Sequence, residues 1–168
     1  MLEKGELSIE GFEYLLTPEE KTVWNVLKYK KHALNVNEIR EAIIDEFIDV
    51  LKKYSKEIDP KTIYTLTRPI SRHIWVGKVD LSKEKFDEAF NEILNKGINL
   101  ENPTSREKRI IADILKRKGI VSIPSHKTIE RILENFEKIG VVVSRPDVGG
   151  KGKKLYSLNP ILAKFMNS

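Results

Sequence analysis

"IADILKRKGIVSIPSHKTIERILENFEKIGVVVSRPDVGGKGKKLYSL", residues 111–158, is the stretch whose reading decides the fold. In "HKTIERILENFEKI", Ile129, Ile132, Leu133, Phe136 and Ile139 fall on one face at the helical step of about 100° per residue. Ser125, preceded by Pro124, is the expected N-cap of that helix, and Gly140 its stop. Upstream, Ser105 is expected to cap "REKRIIADILKRK", a helix burying Ile110, Ile111, Ile114 and Leu115 and ending at Gly119. Downstream, "VVVSR" and "KKLYSLN" read as two strands joined by a glycine-rich turn. Gly149 and Gly150 are expected to reverse the chain there through positive φ, with Gly152 keeping the tip slim.

The run "GGKGKK" invites comparison with a phosphate cradle. Such a cradle joins a strand to a helix, whereas this one joins two strands, so it is not expected to hold a nucleotide. His32, His73 and His126 have no pairwise metal-ligand spacing. The carboxylate pairs Glu41 with Asp45 and Asp45 with Asp49 lie at i and i+4 on one long helix, where solvated faces account for them. No enzyme activity, metal or cofactor is expected.

Working outward, Thr17 followed by Pro18 starts a helix to about Lys31 that buries Val23, Trp24 and Leu27. Asn37 is the expected cap of a long amphipathic helix carrying Ile39, Ile43, Phe47 and Leu51, with Ile44, Ile48 and Tyr54 widening the stripe. Pro60 opens another helix, which Pro69 is expected to break or kink near Arg68. Ser82 caps a helix with Phe86, Ala89, Phe90, Ile93 and Leu94 inward, and Gly97 ends it. "INLENP" then marks a boundary near residue 100, giving a helical region 1–100 for support and dimerisation and a second domain 101–168. Asn159 and Pro160 begin a short final helix, "PILAKFM". "KTIYTL" at 61–66 echoes "KTIERI" at 127–132, so a second, degenerate copy of the C-terminal unit within 1–100 is an alternative.

The 168 residues include no cysteine and no glutamine, and the formal net charge is +5. The absence of cysteine excludes disulfides, thiolate metal sites and a cysteine nucleophile, and fits a reducing cytoplasm. Neither a signal peptide nor a membrane span is expected. Abundant Lys, Glu and Ile form a thermophile-like bias, opposed by ten asparagines. Residues 101–168 hold 14 Lys and Arg against 7 Asp and Glu, whereas residues 1–100 hold 16 against 18. Along the chain, +7 follows −2, the pattern of a polyanion-binding segment attached to a neutral one.

Helix, turn, capped helix, strand, basic turn, strand: this order in residues 111–158 resembles the winged-helix superfamily of DNA-binding domains, in particular small prokaryotic transcription regulators. The turn "GIVSIPS" is longer than in the commonest members. The resemblance implies a mainly α protein with a small β-hairpin wing and sequence-specific binding of double-stranded DNA by a homodimer, most simply for transcriptional regulation. The alternatives are a replication or plasmid-maintenance factor and a winged helix used as a protein-interaction module.

The helix 125–139 would then enter the major groove, with Arg131 reading a guanine. Ser125, His126, Lys127 and Thr128 would meet phosphates or nearby base edges, with Asn135 at the margin. Glu130 and Glu134 would repel phosphate if they faced it, and Lys138 is placed to pair with Glu134. Arg106, Lys108 and Arg109 on the preceding helix would touch the backbone. Arg145, Lys151, Lys153 and Lys154 would make a cationic wing, gripping the backbone or the minor groove.

Overall fold

The computed structural model describes residues 9–54, 58–71, 73–149 and 152–162. Lys151 and Gly150 lie outside the described residues, as does most of the expected final helix beyond Leu162. The protein is mainly helical with a small two-stranded antiparallel sheet. The helices are α1 (Ile9–Leu15), α2 (Pro18–Lys30), α3 (Val36–Lys53), α4 (Pro60–Ser71), α5 (Lys83–Asn95), α6 (Ser105–Arg117) and α7 (His126–Lys138); the strands are β1 (Val142–Pro146) and β2 (Lys154–Leu158).

Two compact units share the chain. A terminal unit combines Met1–Ile39 with His126–Ser168, and a central unit comprises Arg40–Ser125. The divisions fall within α3 and immediately before α7, not near residue 100. Charge follows suit: the terminal unit holds 13 Lys and Arg against 11 Asp and Glu, and the central unit 17 against 14. The units therefore carry +2 and +3, and the imbalance seen along the chain is absent between them.

The terminal unit is built on α2 and α7. Thr17 caps α2 with a reciprocal box: its hydroxyl accepts from Glu20 N, and Glu20 accepts from Thr17 N. Val23, Trp24, Val26 and Leu27 are buried, as are Ile129, Ile132, Leu133 and Phe136 of α7. Phe12, Trp24 and Phe136 meet edge to face with centroids 5.0–6.1 Å apart, joining α1, α2 and α7. Glu13 of α1 accepts from Trp24 Nε1 at 2.6 Å and pairs with Lys28. Ile139, expected inside, is 45% exposed because it lies past the last turn of α7.

β1 and β2 pair with Val142 opposite Leu158 and Pro146 opposite Lys154. Leu34 adds a single bridge on the other side of β2, giving and receiving backbone hydrogen bonds with Tyr156. The turn has its own geometry. Asp147 N donates to Lys153 O at 3.0 Å, and Gly149 N donates to Asp147 Oδ1. Positive φ falls on Gly152 (85°) and not on Gly149.

In the central unit, α3 buries Ile43, Ile44, Phe47 and Leu51, α5 buries Phe86 and Ile93, and α6 buries Ile111, Ile114 and Leu115. Tyr54 meets Phe86 and Phe90 edge to face, and Phe47 stacks on Tyr64. The buried Glu46 carboxylate accepts from the backbone N–H groups of Ile74 and Trp75, satisfying donors that no helix or strand supplies for. α4 runs through Pro69 to Ser71, so the break expected near Arg68 does not occur; Pro69 falls in the last turn, where few ladder bonds remain to be disturbed.

Two caps stand earlier than expected, one by a single position and one by two. Thr104, not Ser105, caps α6 with Glu107, and Asn35, not Asn37, does so for α3 with Glu38. Ser82 precedes α5 without a side-chain capping bond. Leu94, expected inside, is 47% exposed. Among the described residues the central unit has no strand, so the echo between 61–66 and 127–132 ends with two helices.

Candidate nucleic-acid interface

The terminal unit has a cleft of about 260 Å³ where three stretches of chain converge. Asn35, Val36 and Asn37 bring the start of α3; His126, Glu130 and Glu134 bring one side of α7; Gly152, Lys153, Lys154 and Tyr156 bring the turn and β2. The bridge between Leu34 and Tyr156 sets this arrangement, because it fixes the residue before Asn35 against the middle of β2. Two helix starts, whose amides carry partial positive charge, thus border the same cleft as two lysines.

The face of α7 opposite its buried stripe is solvent-exposed at His126, Lys127, Glu130, Arg131, Glu134, Asn135 and Lys138. Lys127, Glu130, Arg131 and Glu134 follow i, i+3, i+4, i+7 spacing, so they form one strip. His126, Glu130 and Glu134 edge it on the cleft side. Thr128 is half-buried. The helix has three cations (Lys127, Arg131, Lys138) and three carboxylates (Glu130, Glu134, Glu137), so it has no formal net charge apart from His126.

These carboxylates differ in what they do. Glu137 accepts from Ser144 Oγ at 2.5 Å, tying α7 to β1. Glu130 and Glu134 make no hydrogen bond or ion pair among the described residues, and the pairing expected between Glu134 and Lys138 does not form. Their field reaches the buried Tyr156: burial first, then Glu137, Glu130 and Glu134, push its phenol above the ordinary tyrosine range.

On the sheet, Arg145, Lys153 and Lys154 are exposed, and Val148 at the tip is fully so. Lys151 lies outside the described residues.

Four of the sequence-predicted residues belong to the other unit. Ser125 stands directly before α7, exposed, as the last residue of the central unit. Arg106 and Arg109 are exposed on α6. Lys108 is not free for a polyanion: its ammonium lies 3.0 Å from Asp45 and 3.5 Å from Glu41, with its side chain 18% exposed. Burial would lower its pKa, but the two carboxylates outweigh that and raise it. Glu41 and Asp45, expected only to form a solvated face, accordingly pair with Lys108, although Asp45 also stays open to solvent. Arg40 is half-buried and donates from Nε to Pro124 O at 2.9 Å; burial and the nearby Arg109 lower its pKa.

Asn35 and Asn37 were not legible as cleft residues, since sequence spacing gives no sign that the start of α3 returns to the wing. Among the described residues no group of three His, Asp or Glu side chains is placed to hold a metal ion, and no helix is long and apolar enough to cross a membrane. Compared with protein-family models, curated proteins and solved structures, the chain finds no match.

Proposed function

We propose that the terminal unit is a winged helix assembled from both ends of the chain, and that it binds double-stranded DNA sequence-specifically as a transcriptional regulator. In this reading α2 is the first helix, Leu34 the first strand, the start of α3 the second helix, α7 the recognition helix, and β1 and β2 the wing. The central unit is then an insertion ahead of the recognition helix, which gives a reason for the long turn before it.

The observation that carries the proposal is the convergence on one cleft of the starts of α3 and α7 and of Lys153 and Lys154. Beside the cleft, Lys127 and Arg131 stand exposed on a helix whose other face is buried, free to enter a groove about as wide as one helix. The interface is then Lys127, Arg131, Asn135, Arg145, Lys153 and Lys154, with His126 at the helix start. Lys108 drops out of it because of its ion pairs.

Fluorescence anisotropy with mixed-sequence duplex DNA tests this reading. Neutralising about six phosphates per protomer gives a slope near −5 for log affinity against log salt. Absence of binding at low salt would end the proposal. A homodimer, expected from the two-fold geometry usual in such binders, is tested by light scattering at micromolar concentration, where a monomeric mass speaks against it.

One observation favours a second reading, a protein-interaction module: α7 balances three cations against three carboxylates. An interaction module would leave the anisotropy unchanged across the salt range.

A further inference from the structure

Two carboxylates stand in the strip of α7 proposed to face DNA, and neither has a hydrogen-bond or ion-pair partner among the described residues. Elsewhere several acids near cations are engaged: Asp45 and Glu41 with Lys108, Glu92 with Arg117, Asp80 with Lys85, Glu13 with Lys28. Glu130 and Glu134, at i and i+4, instead repel one another across an exposed face. Glu130 is the fifth residue of α7, directly before Arg131, within the turns of a recognition helix that reach base edges.

We infer that Glu130 is a specificity-determining residue, its carboxylate accepting a hydrogen bond from the exocyclic amino group of a cytosine beside the guanine assigned to Arg131. This inference rests on the DNA-binding reading above. The major groove offers a carboxylate two donors, cytosine N4 and adenine N6. Adenine presents its amino group next to the N7 acceptor, whose lone pair opposes the second carboxylate oxygen; cytosine has a C–H at the corresponding edge. A carboxylate therefore selects cytosine. The selection is sharp because guanine and thymine leave a desolvated anion without a donor, and adenine offers one only beside the opposing N7 lone pair, in a groove flanked by phosphates. Lys153 and Lys154, lining the same cleft as Glu130, offset part of that field. Glu134, one turn further along, has the same charge without the same reach and serves as an internal control.

The experiment is a selection of bound duplexes from a random pool by the full chain and by its Glu130→Gln and Glu134→Gln variants, followed by anisotropy on the enriched sites. Both substitutions are at exposed positions and leave the core untouched. The wild type is expected to enrich a site with an adjacent guanine and cytosine. Glu130→Gln should move the cytosine position toward adenine, because a carboxamide pairs with adenine N6 and N7, and discrimination for cytosine should fall about 5- to 100-fold. Glu134→Gln should strengthen all duplexes by one common factor and keep the motif.

If Glu130→Gln instead keeps the wild-type motif and strengthens all duplexes as Glu134→Gln does, Glu130 is a repulsive surface charge and the inference fails. If the wild type binds mixed duplexes but enriches no motif, base selection by α7 fails while DNA binding stands. If it binds no duplex at low salt, the reading beneath fails, and this inference with it.

Discussion

Leu34 and Tyr156, from opposite ends of the chain, exchange two backbone hydrogen bonds, Leu34 N to Tyr156 O at 2.9 Å and Tyr156 N to Leu34 O at 2.7 Å. A fragment of residues 101–168 keeps β1 beside β2 but lacks the Leu34 bridge on the other side of β2, and also lacks Phe12 and Trp24, against which Phe136 packs. Such a fragment is expected to show helical far-ultraviolet circular dichroism without a cooperative thermal transition, whereas the full chain melts cooperatively.

Trp24 is 1% exposed and touches both Phe12 and Phe136. Trp24→Ala should destabilise the protein by about 3–5 kcal/mol, read as a lowered midpoint in urea unfolding.

Gly77 lies against the Trp75 indole so closely that a Cβ would sit 2.4 Å from its ring. Gly77→Ala must move a buried ring and should cost about 1–3 kcal/mol. Gly97→Ala is the contrast, where nothing stands within 4 Å and the strain comes from its φ of 74° alone. Equal losses in thermal stability with identical near-ultraviolet spectra would contradict the steric account.

Lys108 and Lys153 separate pairing from availability. Lys108→Ala should leave duplex affinity within experimental scatter, because its charge is matched by Asp45 and Glu41. Lys153→Ala should weaken all duplexes alike and reduce the salt slope by about one. Arg131→Ala should erode discrimination between sites by about 1–3 kcal/mol. Anisotropy on matched and mismatched duplexes measures all three.

Alkaline pH provides a test of the central core. Burial pushes the Tyr64 phenol up to about 12, the nearby Arg68 pulling the other way and Glu46 adding to the rise. For Tyr54, burial and then the hydrogen bond it donates to Asp87 do the same, to about 12. A folded-state pKa above the unfolded value of about 10 means stability that is complete below pH 10 and is lost as pH climbs toward 12. Ultraviolet titration should show these two and Tyr156, three of the five tyrosines, ionising late, the first two together with unfolding of the central core. Ordinary titration of all five in a folded protein would refute the burial.

What could be read from sequence was local. The period of Ile129, Ile132, Leu133 and Phe136 gave the face of α7, and two strand-like runs around clustered glycines gave the hairpin, because helices and tight reversals are specified by neighbours. Thr17 and Pro18 announced α2 to the residue. α1 went unseen: a seven-residue helix has little periodicity, and it is held by Phe12 and Glu13 reaching α2 and α7. The division at residue 100 followed loop composition and a charge imbalance along the chain. Neither quantity registers a strand partner on the far side of the sequence. Lys108 was read as an open cation for the same reason, its carboxylates lying on another helix.

The hydrogen bond from Arg40 to Pro124 bears on the order of folding. The central unit leaves α3 and returns to α7 through residues held side by side, so once folded it presents the rest of the chain with a short, closed connection. Loop closure grows dearer with the logarithm of loop length, and joining Leu34 to Tyr156 across an unfolded middle would meet that full entropy. A middle that folds first removes it. The central unit would then serve as an internal template, and stopped-flow refolding should find burial of Trp24 following that of Trp75.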